Sequence, residues 1–528
     1  MRNVSCILLC VCLLGGNLNG QSARASKAAT TKPAITIGVD TTRITSPLKA
    51  DGSVDYLAAL NQKYSAGVTR ENNAAVLLFE IFNPDDFLCD AMRQQVTTAL
   101  GIVYQPDQKC FEKLPDSLEQ AGEKALKGPW LPADNPELAA WLDRNGPALD
   151  KFIAASRRPR YYVPLVTQSP DDPLMNMLVP SLAQYRAVAK AMAMRANVAI
   201  AQGRSMDAWQ DILAIQRVGI LVGQDSMLIG RLVSIAMSAT ADGATSVLAE
   251  HGKLSAAQAR QIIAQMQALG PTPEVRDVFT TAERYTVLDS IYQLARNPSL
   301  FSRYWEVCAS VGNNQPTRQH MEFAGNMAQL FELYPPDYVV ILRGVNEYFD
   351  SADKVLAGPF SSQKEEFEKL RTNAKLPSMP DSKEKMAEIL QDEAGRTEFM
   401  GDMLRGIFLQ LSVDRAQVMA MRAEAGRGLA VISVAMAGYK AQSGEYPDKL
   451  DPLVPGFLKS LPKDPFTGNA FVYRRTADGY IAYNVGDNMV DDGGKSVTAT
   501  GKDKGDEIVV QAGSPTSAPA KKTLQKQK

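Results

Sequence analysis

The chain has 528 residues, enough for two or more domains, and 45% of them are apolar, which excludes a largely disordered protein. Its 57 basic and 58 acidic residues give a net charge of -1, whereas general nucleic-acid binders carry a basic excess. The only two histidines, His251 and His320, lie in no GxSxG or HExxH motif, so the sequence carries no signature of a Ser-His-Asp hydrolase or a His-rich zinc site.

Residues 1–25 predict a signal peptide. Arg2 supplies the positive start, residues 7–14 form a short apolar run, and residues 23–25 read A-x-A, as at a cleavage site. The apolar run is too short to span a bilayer. We therefore expect an exported protein, periplasmic or extracellular, with no stable membrane span after cleavage.

Cleavage would leave three cysteines, Cys89, Cys110 and Cys308. In an oxidising compartment, Cys89 and Cys110 could form a disulfide that closes a loop across a helix and the turn after it. The aromatic and apolar neighbours of Cys308 favour a buried, inert thiol over a nucleophile.

Residues 26–50 are rich in Ala, Thr, Ser and Lys and predict a linker with one short strand at 34–39. Residues 51–395 predict a body of helical hairpins. One hairpin turns at Gly203 and continues in a helix from about Ser205. Ser255 and Gln258 have the spacing of a capping box at another helix start.

Two features of this body leave functional alternatives open. Glu283 and Asp289 are six residues apart on one predicted helix and do not share a face, although a carboxylate pair built across two helices would support hydrolysis. The segment 156–165 (SRRPRYYVPL) joins arginines to tyrosines. It could bind an anion or a glycan, or its arginines could simply pack on the tyrosine faces.

The residues from 396 to 510 predict an α/β module. A long helix at 414–439 carries an apolar stripe of Leu429, Ile432, Met436 and Tyr439, and Gly444 follows it. Asp448 is positioned to cap a short helix, and residues 470–473 and 480–484 alternate as antiparallel strands. The predicted fold class is mainly α, with a long helix packed on a small antiparallel sheet at the C-terminal end.

Three motifs punctuate this module: GEYP at 444–447, KDPF at 463–466 and YNVG at 483–486. With them, residues 414–510 resemble the periplasmic part of the major pseudopilin of type II secretion. Charges at Arg415, Arg422, Glu424 and Arg427 interrupt the long helix, unlike the apolar membrane helix of a pseudopilin. The whole chain also resembles a group of predicted exported bacterial proteins that carry this module after a helical region and have no assigned activity.

The resemblance implies a calcium site in the loop after the second strand. The implied ligands are the Val485 carbonyl, Asn488, Asp491 or Asp492, and Asp506. Calcium takes six to eight oxygen ligands from flexible loops, and this loop clusters carboxylates between glycines. It does not follow the EF-hand spacing, because Met489 stands where Asp or Asn is required. The alternative is a solvated acidic turn without metal.

The expected function is that of an exported, non-enzymatic scaffold or interaction protein with a calcium-stabilised C-terminal module and protein partners. One alternative is a hydrolase that uses Asp or Glu side chains in a cleft of the helical body. Another, by analogy of the module, is an accessory component of a type II secretion-like apparatus. Residues 511–528 predict a disordered basic tail.

Overall fold

A computed structural model describes residues 35–82, 89–103, 110–169, 172–176, 182–310, 318–373, 383–408, 413–496 and 505–513. This part of the chain is mostly helical, with one three-stranded antiparallel sheet near the C-terminal end. The prediction of a mainly helical protein with a small antiparallel sheet is therefore confirmed. The predicted signal peptide at 1–25 and residues 514–528 of the predicted tail lie outside the described residues.

The α-helices of the described residues are α1 Tyr56–Ser65, α2 Ala74–Phe79, α3 Asp90–Leu100, α4 Glu119–Leu126, α5 Pro136–Ser156, α6 Leu182–Ala201, α7 Ser205–Val222, α8 Leu228–His251, α9 Ala256–Gln267, α10 Val275–Val278, α11 Arg284–Arg296, α12 Leu300–Ser310, α13 Arg318–Leu333, α14 Tyr338–Ala357, α15 Phe360–Asn373, α16 Lys383–Gln391, α17 Glu393–Phe408 and α18 Val413–Ser443. A π-helical turn at Phe279–Glu283 joins α10 to α11. The strands are β1 Val472–Arg475, β2 Tyr480–Tyr483 and β3 Val509–Ala512.

The chain divides into two compact units. The first comprises the described residues of Met1–Gln62, Thr167–Met177 and Val278–Val413, and the second those of Lys63–Val166, Leu178–Asp277 and Asp414–Lys528. This division differs from the predicted boundary between a body at 51–395 and a module at 396–510. The second unit joins α5 to α9 with the long helix and the sheet.

The first unit is organised around a buried arginine at the start of α11. Arg284 is 1% exposed, and its guanidinium donates hydrogen bonds to Oδ1 of Asn346 at 2.7 Å and to the Asn346 carbonyl at 3.0 Å. The Asn346 amide in turn donates to the carbonyls of Asp40 and Thr41. Helices α11 and α14 therefore hold the segment at 40–41 through side-chain hydrogen bonds.

The helices α6, α7 and α8 form the core of the second unit. Gly203, with φ of 74°, makes the tight turn between α6 and α7, a left-handed conformation that glycine adopts at little cost. The predicted hairpin is confirmed at this turn. Ser255 caps α9 reciprocally with Gln258, at 2.9 and 3.2 Å, so the predicted capping box is also confirmed.

Helix α8 is the one helix of the described residues that is long and apolar enough to cross a membrane by length and composition. Its mean hydropathy is 1.3 in the best window, and 61% of that window is buried within the protein.

The long helix α18 packs on α9 and on the loop that follows α18 in the chain. Leu429, Ile432 and Met436 of the predicted stripe are fully buried. At Gly438, a Cβ atom would lie 2.6 Å from Cβ of Ala259 on α9 and would overlap the ring of Phe457. Only glycine permits this close crossing, so the long helix belongs to the same compact unit as α9.

The sheet has the order β1-β2-β3 with antiparallel pairing throughout. Tyr473 lies opposite Ala482 in the first pair, and Tyr480 lies opposite Ala512 in the second. The hairpin of the first two strands was predicted, whereas β3 was not. The predicted disordered tail therefore starts too early, because Gln511 and Ala512 belong to a paired strand.

Three further predictions are wrong. The predicted strand at 34–39 is absent from residues 35–39, because the backbone N–H groups of Thr41 and Thr42 close a turn on the Gly38 carbonyl. The Asp448 carboxylate caps no helix and instead accepts a hydrogen bond from Arg475 at 2.9 Å. Cys89 is an exposed free thiol at the N-cap of α3, so the predicted disulfide to Cys110 is not formed.

Candidate functional site

The loop between β2 and β3 begins at a buried asparagine. Asn484 is fully buried, and its Oδ1 accepts a hydrogen bond from the Ile508 backbone at 2.6 Å. The first and last residues of the loop are thus joined directly. The acidic residues of this loop are held near one another by the strands that precede and follow it.

Three of the predicted calcium ligands come together in this loop. The Asn488 backbone N–H donates to Oδ2 of Asp506 at 2.9 Å. The amide nitrogen of the same Asn488 lies 3.2 Å from Oδ1 of Asp506 and 3.1 Å from Oδ2 of Asp492. Two carboxylates that are distant in the sequence therefore meet on one amide group.

The two remaining predicted ligands have other contacts. Asp491 accepts hydrogen bonds from the Tyr483 hydroxyl at 3.1 Å and from the Gly493 backbone at 2.9 Å. The Val485 backbone N–H donates to Oδ2 of Asp464 at 3.1 Å. Between the alternatives Asp491 and Asp492, only Asp492 contacts Asn488 in the described hydrogen bonds.

The backbone of the loop is shaped to hold this arrangement. Gly486 has φ of 71°, and a Cβ atom there would lie 2.5 to 2.7 Å from the carboxylate atoms of Asp506. Met489 also adopts a left-handed conformation, with φ of 57°, which is strained for a residue with a side chain. The Asn488 side chain accepts from Val490 at 2.6 Å, as in an Asx turn.

The motif residues of the module have structural roles. Asp464 of the KDPF motif is 1% exposed and accepts from the backbones of Phe466 and Val485, so it fixes the start of the acidic loop. In the GEYP motif, the Pro447 carbonyl accepts from the Tyr473 hydroxyl at 2.5 Å. Tyr446 packs edge-on against Tyr480.

Sequence reasoning missed Glu507. This residue is fully buried, and its Oε1 accepts from the Asp492 backbone at 2.8 Å. Burial raises the pKa of its carboxyl to about 6, although backbone hydrogen bonds oppose the shift. In the sequence, only the position of Glu507 next to Asp506 pointed to a role in the acidic loop. Predicting its burial required knowing that β3 starts at Val509.

No group of three or more His, Cys, Asp or Glu side chains within the described residues is arranged to hold a metal ion. A metal at the loop would therefore depend on amide and carbonyl oxygens in addition to Asp492 and Asp506. Such mixed oxygen sets are typical of calcium and are unlike zinc sites, which use His and Cys.

A second candidate site is a groove of about 530 Å³ between α5, α6 and α7. Trp130 and Leu142 contribute to its apolar lining, while Asp143, Asp207 and Asp211 contribute carboxylates. It is the kind of cleft that the hydrolase alternative requires.

Arginines hold two of these three carboxylates. Arg195 binds Asp211 through two nitrogens, at 2.7 and 2.9 Å, and Arg204 binds Asp207 at 2.9 Å. Burial raises the pKa of Asp211, and the Arg195 guanidinium opposes that shift.

The basic-aromatic segment is largely engaged in structural contacts. Arg158 donates to the carbonyls of Arg70 and Asn73, and Arg160 donates to that of Ala66. Tyr161 is 3% exposed. Neither of the two predicted uses of these arginines, packing on tyrosine faces or binding an anion, accounts for the hydrogen bonds that Arg158 and Arg160 make.

The chain matches no protein-family model, no curated protein and no solved structure. The resemblance to pseudopilins stays a prediction that rests on the three sequence motifs.

Proposed function

We propose that the protein is an exported, non-catalytic scaffold or interaction protein whose C-terminal module is stabilised by calcium. The observation that carries this proposal is the meeting of Asp492 and Asp506 on Asn488. Support for export comes from the charged and apolar pattern of residues 1–25.

The electrostatics of the loop favour a bound cation. Two carboxylates that contact one amide repel each other, and a cation between them would replace that repulsion with attraction. Asn488 would present its oxygen to the ion only after a rotation of its amide group, which would also break the hydrogen bond that this oxygen accepts from the Val490 backbone. The Val485 carbonyl and water would complete the coordination.

Two carboxylates and several neutral oxygens make a modest site. Calcium affinity rises with the number of charged ligands and the rigidity of the site, and extracellular modules bind with dissociation constants of about 0.1–1 mM. Calcium is abundant outside the cytoplasm, so such a site would be filled after export and empty before it. Calcium would then fix the module in its final compartment.

The test is thermal unfolding of the full chain in calcium and in chelator. A saturating excess of about 100 times the dissociation constant should stabilise the folded protein by about 3 kcal/mol. Asp506→Asn and Asp492→Asn should remove most of this shift, because each deletes one of the two charges.

The matched control is Asp491→Asn, which leaves both proposed charged ligands in place. It should keep most of the calcium shift, since Asp491 is bonded to Tyr483. The same melting midpoint in calcium and in chelator would disprove the calcium proposal. Loss of the shift in Asp491→Asn alone would reassign the ligand.

The groove supports hydrolysis as a second candidate function. It combines carboxylates with the side chain of Trp130, although Asp207 and Asp211 are both paired with arginines. Asp143 has no described arginine partner, which makes it the carboxylate to test. Asp143→Asn should abolish turnover in a screen of glycoside and peptide substrates without lowering the melting midpoint. A wild-type chain with no activity in that screen would rule against this candidate for those substrates.

A further inference from the structure

The interface between α7 and α8 is unusually close and contains polar groups. Gly219 of α7 and Gly223, the residue directly after α7, face α8. A Cβ atom at Gly223 would lie 2.8 Å from Oγ of Ser234, and one at Gly219 would lie 3.7 Å from Oγ of Ser238. The two helices run in opposite directions, so the next contact along the interface brings Gln216 beside Asp242.

The α8 side of this interface is a polar stripe. Ser234, Ser238 and Asp242 are four residues apart and therefore share one face of the helix. All three are buried, with exposures of 0%, 3% and 6%. Helix α8 thus directs two hydroxyls and a carboxylate inward along one face.

These buried groups have no well-aligned hydrogen-bond partners among the described residues. Both carboxylate oxygens of Asp242, both amide atoms of Gln216 and the hydroxyls of Ser234 and Ser238 make no hydrogen bond of good geometry, although the Gln216 side chain lies near enough to Asp242 to lower the pKa of its carboxyl. Buried polar groups in native proteins are almost always satisfied, and each unsatisfied group costs about 1–3 kcal/mol. So many orphaned atoms on one interface indicate that bound water or an ion satisfies them.

Of these groups, the Asp242 carboxylate costs the most free energy to bury without a partner, because it can carry a charge. Gly426 of α18 approaches it from the other side, where a Cβ atom would lie 3.4 Å from Oδ2. Among the described residues, the one charged side chain that acts on Asp242 from the helices around it is Arg427 of α18, which attracts it without a hydrogen bond or ion pair. Burial raises the pKa of Asp242 to about 7, while Arg427 and then Gln216 oppose the shift.

We propose that Asp242, Ser238 and Gln216 form a buried binding site for a monovalent cation, Na⁺ or K⁺, completed by water. The carboxylate supplies one negative charge, and the hydroxyl and amide supply neutral oxygens. Hard cations select this donor set.

The charge of the site decides between possible ligands. A divalent ion would leave an uncompensated positive charge in the interior, next to Arg427, at a large desolvation cost. Water alone would satisfy the hydrogen bonds but, above a pH of about 7 where Asp242 has released its proton, would leave the buried carboxylate charge unpaired. A monovalent cation both neutralises the carboxylate and satisfies the surrounding oxygens.

Protons compete with the cation for this carboxylate. An unfolded chain releases the Asp242 proton near the ordinary aspartate pKa of 3.8, whereas the folded protein without cation holds it up to a pKa of about 7. The contribution of this group to stability is therefore full below about pH 4 and is lost as the pH rises toward about 7. A bound cation would offset that loss at alkaline pH.

The experiment is thermal unfolding of the full chain, with chelator throughout, in choline, sodium and potassium chloride at equal ionic strength. At about pH 8, sodium or potassium at about ten times the dissociation constant should raise the midpoint by about 3 °C relative to choline. At about pH 5.5 the shift should vanish because Asp242 is protonated.

Two variants and one control test whether the cation shift of the midpoint comes from this site. Asp242→Asn should remove both the cation shift and its pH dependence, and Ser238→Ala should reduce the shift. Asp207→Asn, which changes an exposed carboxylate on the same interface helix α7, should leave the shift unchanged.

Broadening of the ²³Na resonance by wild-type protein, lost on addition of excess potassium, reports the ion even if Asp242→Asn fails to fold. Identical midpoints in all three salts at about pH 8, without ²³Na broadening, would overturn the proposal and leave a site for water only. Because chelator is present, failure here is separate from failure of the calcium proposal.

Discussion

Replacing Arg284 by Met should destabilise the first unit by about 3 kcal/mol, because it leaves the buried side-chain oxygen of Asn346 without a donor and removes an ion pair with Asp350. Arg284 now donates to that oxygen at 2.7 Å and to the Asn346 carbonyl at 3.0 Å, and it binds Asp350 at 2.7 Å. Met fills a similar volume, so the effect reports lost hydrogen bonds more than a cavity. Urea unfolding followed by circular dichroism should show a midpoint lower by about 1 M.

The matched control is Arg343→Met. Arg343 also binds the N-terminal segment of this unit, through Asp40 at 2.7 Å, but its side chain is 53% exposed. Exposed ion pairs contribute about 0–1 kcal/mol, so this variant should shift the midpoint little. Similar midpoints for the two variants would show that the buried network does not stabilise the unit.

The contrast between these arginines shows what the sequence could and could not supply. Arg284 was visible as a charged residue on a predicted helix, but its partner Asn346 lies 62 residues further along. Periodicity indicates that a helix has an apolar face. It does not indicate which polar residue will be enclosed when two helices pack together.

The sequence correctly predicted some features that depend only on residues close together in the chain. The capping box of Ser255 and Gln258 involves residues three apart and was predicted correctly. The long helix was placed at 414–439 and spans Val413–Ser443, followed by Gly444 with φ of 86°. Caps and breakers act within one turn, so the sequence can indicate them, although a distant partner can override the signal, as Arg475 does at Asp448.

Strand β3, by contrast, could not be predicted from its own residues. Its four residues, VVQA, are too few to display a period, and they belong to the sheet only because β2 pairs with them. The candidate site depends on that pairing, since β3 positions Asp506 and Glu507. The motif resemblance left Asp491 and Asp492 as alternative ligands, and only the geometry of the loop shows that Asp492 is the one that contacts Asn488.

The same reasoning explains why the orphaned groups of the α7–α8 interface escaped notice. Ser238 and Asp242 look ordinary in an apolar helix, and Gln216 lies on a different helix, earlier in the chain. Only the close approach permitted by Gly219 and Gly223 brings these groups together. Spacing along one helix cannot reveal a site assembled from two.

Gly479→Ala should destabilise the C-terminal module strongly and abolish its response to calcium. A Cβ atom at this position would overlap the carbonyl oxygen of Ala512 on β3 and would lie 2.5 Å from its carbonyl carbon. Backbone atoms cannot rotate away as a side chain can, so β3 must move. Overpacking costs about 1–3 kcal/mol where side chains can adjust, and we expect at least the upper value here.

The displacement should reach the candidate metal site because the strand pair and the loop are continuous. Tyr480 pairs with Ala512 at one end of β3, and Asn484 binds Ile508 just before the other. Moving β3 away from β2 would separate Asp506 from Asn488 and Asp492. The calcium shift of the melting midpoint should then disappear together with the lost stability.

The matched control is Gly456→Ala, where an added Cβ atom would meet nothing within 4 Å. It should keep both the melting midpoint and the calcium shift of the wild type. A large loss of stability in Gly479→Ala with an intact calcium shift would show that the ion binds independently of β3. That outcome would remove Asp506 from the ligand set, because β3 is the element that holds it against Asn488.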